Sequence, residues 1–114
     1  MNFDYATAIS RLTIFTDEII PLFGRIKIFV GIIIPGTTIF DDISPERDYN
    51  LDSFAKGISR MIAALEQASI EITSISETCK SPLLDCLKSD IVKAILLLQS
   101  ANGIANEITI NLKP

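Results

Sequence analysis

Between Leu51 and Cys79 an apolar or small residue stands at Leu51, Phe54, Ile58, Met61, Leu65, Ala68, Ile72, Ile75 and Cys79, in steps of three and four that never slip. A repeat averaging 3.5 residues lines these side chains along one side of an α-helix, whereas a strand, with its period of two, would scatter them over both faces. The segment is therefore expected to be a long helix whose seam must face something. A second unbroken seam runs through Leu84, Leu87, Ile91, Ala94, Leu98, Ala101, Ala105, Ile108 and Leu112. A third, less secure, passes through Tyr5, Ala8, Leu12, Phe15, Ile19, Leu22, Ile26, Phe29 and Ile33. Each would make roughly 42 Å of helix at about 1.5 Å per residue. Elements of one length are expected to lie side by side.

The punctuation agrees with this reading. In Lys80-Ser81-Pro82, Ser81 can cap the amides that open the next helix, and Pro82 suits a first helical position, where its missing N–H costs nothing. The second and third helices thus form an antiparallel hairpin, with Leu65 and Leu98 in its core. Residues 35–50 hold the turn signals Pro35-Gly36 and Ser44-Pro45, then Asn50 as a cap for the helix from Leu51, and are long enough to cross one end of a bundle. The first helix is expected to end or kink at Pro21, which deletes a backbone hydrogen bond and crowds the preceding turn.

The expected fold is an all-α, antiparallel bundle of three long heptad-patterned helices, the first broken or kinked at Pro21 to leave four segments. These cover about 3–20, 22–34, 51–79 and 82–108, with a loop over 35–50, in one domain spanning 1–114. The alternative is an α+β fold with a strand at 26–34, because "RIKIFVGIII" is rich in β-branched residues and could pair with the alternating tail "EITINL".

Composition bears on function through what it leaves out. Histidine is absent, which removes Ser-His-Asp and Cys-His nucleophile pairs, the commonest general base near neutral pH and any imidazole zinc site. No phosphate-cradling glycine motif is present. Asp48, Asn50 and Asp52 copy the first ligand positions of a calcium loop, but Ser53 and Ser59 stand where that loop needs Gly and Glu. Glu66, Glu71 and Glu77 read as a solvated helix face. No catalytic residue, cofactor or metal is expected, and the chain is not read as an enzyme. With a net charge of −4 and its 10 basic residues scattered, it offers no stripe for a phosphate backbone, so nucleic acid is not an expected partner.

What the chain does have is apolar surplus, with 48% hydrophobic residues, 21% charged residues and a mean hydropathy of +0.40. A domain of this size buries only about two-thirds of its unfolded surface, so the surplus calls for a partner chain or another apolar environment. Val92 and Leu96 mark one such place, being four residues apart and outside the main stripe of the third helix. They are the candidate interface, either for another chain or for segment 22–34. The leading expectation is a non-enzymatic protein–protein interaction module, an adaptor, assembly or regulatory domain, bound to a protein partner or forming a homo-oligomer. The alternative is a membrane-active bundle using an amphipathic 19–34 segment marked by Arg25, Lys27 and Phe29.

Cys79 and Cys86 flank the tight turn, where a hairpin could bring them into disulfide range, although two buried or half-buried thiols, packed as small hydrophobes, are the favoured expectation. The opening "MNFDYATAIS" lacks a basic start and an apolar run, and with no N-x-Ser/Thr acceptor this fits a cytoplasmic protein. The tail "NLKP" carries no terminus signal, so the chain would also suit one domain of a larger protein.

Overall fold

The computed structural model describes residues 3–41, 43 and 51–112, with the backbone alone for 51–56 and 112. Three helices account for most of it: α1 (Tyr5–Ile33), α2 (Leu51–Thr78) and α3 (Pro82–Leu112). The fold is all-α, and no strand occurs among the described residues, so residues 26–33 are helical where the alternative reading had a strand. α1 continues through Pro21 as one element, so the bundle has the three long helices expected, with the first unbroken at Pro21. Pro21 is tolerated on an exposed side of the helix. The ends of α1 and α3 also move relative to expectation, with α3 running on to Leu112.

Local chemistry sets the helix boundaries. Asp4 caps α1, its carboxylate accepting from the Thr7 backbone N–H at 3.1 Å and from the Thr7 hydroxyl at 2.6 Å. α1 closes with the Ile34 N–H donating to the Val30 carbonyl. Ile34, Pro35, Gly36 and Thr37 then make a turn in which Pro35 sits at the second position and Gly36, at φ 79°, takes the left-handed conformation that the third requires. The Thr37 N–H donates to the Ile34 carbonyl at 3.1 Å and completes it. At the hairpin, Pro82 opens α3 and the Leu83 N–H donates to the Ser81 hydroxyl at 3.2 Å. Both roles match those read from "KSP". The proposed cap at Asn50 lies outside the described residues.

α3 is the shared element: it packs against α1 and against α2, while α1 and α2 make little direct contact with each other. The hairpin makes α3 antiparallel to α2. It is also antiparallel to α1, because Ala8 clusters with Ile104 and Ile108 near one end while Arg25 reaches Asp90 nearer the other. α1 and α2 therefore run parallel, and the chain must return along the bundle to get from one to the other. The described part of the connection does this instead of crossing an end. Phe40, only 3% exposed, meets Phe23 of α1 edge-on at a centroid distance of 5.4 Å. On its other side, Ile39 and Ile43 border α2 at Arg60, Ala63 and Ala64.

The core follows the seams. Every position of the α3 seam from Leu84 to Ile108 is buried, as are Ile58, Met61, Leu65, Ala68 and Ile72 of the α2 seam. α1 buries Ile19, Leu22 and Ile26 of its seam and adds Phe23 and Val30 from the adjacent row. The broader strip arises because α1 touches both α3 and the returning connection.

A candidate interaction face on α3

Two neighbours at an angle leave one side of α3 uncovered. Successive residues advance 100° around a helix, so Leu84, Ile91 and Leu98 share one buried side of α3, Ile104 and Ile108 turn toward Ala8 of α1, and the uncovered arc carries Ser89, Val92, Leu96 and Ser100. Val92 is 54% and Leu96 59% exposed. Segment 22–34 does not cover them, which removes the internal alternative for this pair. Both line a shallow, almost wholly apolar depression of about 490 Å³, together with Ser89, Lys93, Leu97 and Ser100. Half-buried Leu97 joins its floor to the core. Lys93 stands on one flank of the pair, and half-buried Lys88 lies on the other.

The other residues singled out from the sequence lie elsewhere. Arg25 is on the exposed side of α1, with its Nε 3.3 Å from a carboxylate oxygen of Asp90 on α3. A solvated pair of this kind contributes at most about 1 kcal/mol. Lys27 is exposed, and Phe29 is half-buried against the main core. Ile26 and Val30, on the same segment, are fully buried, so the apolar side of 19–34 is largely spent inside the bundle. No helix among the described residues is long and apolar enough to cross a membrane. Cys79 and Cys86 are free thiols, and both are exposed, which corrects the expectation of burial. Cys79 falls just beyond the last turn of α2 and Cys86 on a side of α3 that neither neighbour covers. Asp48, Asn50 and the side chain of Asp52 lie outside the described residues.

The sequence marked Ile28 and Ile32 as part of the amphipathic 19–34 segment, but not that Ile14 extends them into an exposed row along α1. Ile14, Ile28 and Ile32 are 58%, 64% and 63% exposed, and they share a helical face with Pro21 and Arg25. The signal was present, since "RIKIFVGIII" is apolar nearly all round, but a seam read at 3.5 residues says nothing about the opposite side. A second hollow, lined by Asp41, Arg60 and Gln67 beside Ile39 and Ile43, was equally illegible. It depends on where the connection lies. No protein-family model, curated protein or solved structure matches this chain.

Proposed function

We propose that this chain is a non-enzymatic helical interaction module, an adaptor, assembly or regulatory domain, that binds a protein through the outer face of α3. The observation that carries the reading is the apolar depression around Val92 and Leu96 on a side that neither α1 nor α2 covers. A β-branched residue and a leucine held rigidly in water at helical spacing offer contact area at little entropic cost, because the backbone beneath them is already ordered. The absence of histidine supports the non-enzymatic part. Exposed thiols at Cys79 and Cys86 are ordinary in the reducing cytoplasm, where the reading places the protein.

The test is photo-crosslinking in cells. With a benzophenone amino acid at position 96, a discrete adduct is expected, and none from a control at exposed Thr73 on α2. Absence of an adduct from position 96 overturns the reading, and the adduct's mass distinguishes a second copy from a different protein.

A second reading rests on Ile28 and Ile32, exposed on the face of α1 that also carries Arg25, in the way of a membrane-seeking surface. Co-sedimentation with liposomes made partly of anionic lipid decides it. Binding that survives substitution of Val92 and Leu96 but not of Ile28 and Ile32 would favour this alternative.

A further inference from the structure

We infer that the occupant of the α3 face is a second copy of this chain, its own α3 laid antiparallel along the same face. This rests on the interaction reading above and specifies its partner. One heptad register accounts for the exposed arc: Val92, Leu96, Gln99, Gly103, Asn106 and Ile110 follow one another in steps of four and three, and Asp85 stands at the start of the same row. All of them are exposed. The row therefore continues past the depression at Val92 and Leu96 as far as Ile110, which is 68% exposed. Lys93, Ser100 and Glu107 border one edge of this row, and half-buried Lys88 borders the other.

Two-fold symmetry demands that a surface complement itself, so that if one residue meets a second, the second meets the first. Antiparallel pairing about an axis level with Ala101 meets that demand. It sets Val92 against Ile110 of the copy, Leu96 against Asn106 and Gln99 against Gly103, each contact occurring twice. Antiparallel helices also bring like edges together, so Lys93 meets Glu107 of the copy at both ends, with Ser100 beside its own counterpart between them. The exposed apolar ends of the row are thus matched to each other about one point, and the charges on its edge are matched to their opposites about the same point. Asp85 and Lys88 lie beyond the end of the partner helix. Other registers fail on these residues. Packed parallel, Asp85 meets its own counterpart and Lys88 meets Lys93 of the copy. Antiparallel with Val92 level with Leu96 of the copy, the two Lys93 side chains converge. Half a heptad further on, Asp85 is set against Ile110, and an axis past the one at Ala101 leaves Val92 and Leu96 uncovered. A contact over 92–110 is about 27 Å long, with one helix from each side, which fits a transient dimer better than an obligate one.

Sedimentation equilibrium of the whole chain over a concentration series tests this. A monomer–dimer equilibrium is expected. K93E alone, or E107K alone, sets like charges together at both ends of the contact and should weaken the dimer about tenfold or more at low salt, an effect that shrinks as salt rises. K93E/E107K exchanges the two charges and should restore the affinity of the unaltered chain. Gly103→Leu supplies a second check, because a Cβ added at Gly103 meets nothing within 4 Å. That variant should keep its helical circular dichroism and lose the dimer, since the added side chain stands where the two helices pass each other. A chain that is monomeric at every concentration overturns the inference. So does a dimer that K93E/E107K leaves as weak as either single variant, or one that Gly103→Leu does not affect. If position 96 crosslinks to a different protein while the purified chain stays monomeric, the second copy is wrong and the interaction face stands. If position 96 yields no adduct at all, both fail.

Discussion

At the scale of single residues, burial decides which of many similar side chains matter. Leu65 is 0% and Leu98 1% exposed, and both lie in the main core cluster, so replacing either with Ala should cost about 2–5 kcal/mol in urea melts. A loss below about 0.5 kcal/mol would mean the hairpin core is not as described. Leu96, on the same helix but in water, should be replaceable by Ser with no comparable loss. Asp4 offers a pH test. The Thr7 hydroxyl, then the Thr7 backbone N–H, hold its carboxyl below the ordinary range. A carboxylate whose folded pKa is depressed stabilises the fold above the unfolded value of about 3.9, and that contribution is lost as pH falls through the folded value. Thr7→Ala should move the Asp4 titration, followed by NMR, back toward the ordinary range, because the larger of the two causes is removed. An unchanged midpoint would show that the hydroxyl does not bond the carboxylate.

At the scale of elements, the seams and caps were legible because they depend on neighbours within a turn or two. The hairpin at Ser81-Pro82 and the turn at Pro35-Gly36 appear where their residues require them. α1 was harder to read. Proline lowers the stability of a helix interior by about 3 kcal/mol relative to alanine, and the sequence offers no view of what opposes that penalty. The structure does: Ile19, Leu22, Phe23 and Ile26 are all buried around Pro21, so packing holds the helix together across its weakest point. Pro21 itself is exposed, and Pro21→Ala should therefore stabilise the protein, by about 1–3 kcal/mol. A destabilised variant would mean the bundle needs the local shape that proline imposes. The β-branched residues of 26–34 were ambiguous for the same reason, since their helical or extended preference is small beside the burial of Ile26 and Val30.

At the scale of the whole molecule, the deciding feature is that α1 and α2 run parallel and are held apart. The bundle measures 54 × 25 × 19 Å, and the returning connection packs beside both helices, with Phe40 against Phe23 of α1 and Ile39 and Ile43 beside Ala63 and Ala64 of α2. Phe40→Ala should cost about 3–5 kcal/mol and increase amide exchange in both α1 and α2. An effect confined to the loop would show that Phe40 does not join them. The same arrangement opens the outer side of α3, because a helix with two neighbours at an angle cannot cover its third side. The sequence by itself determined the helical class, the three seams, the hairpin and the presence of an extra apolar pair at Val92 and Leu96, all of which are properties of local spacing. Only the tertiary structure decided that the pair faces water and that segment 22–34 covers a different side of α3. It also decided that a residue from the connection completes the core. These outcomes depend on which elements meet across the fold, and the pattern along one helix records only that a neighbour is needed, not which one arrives.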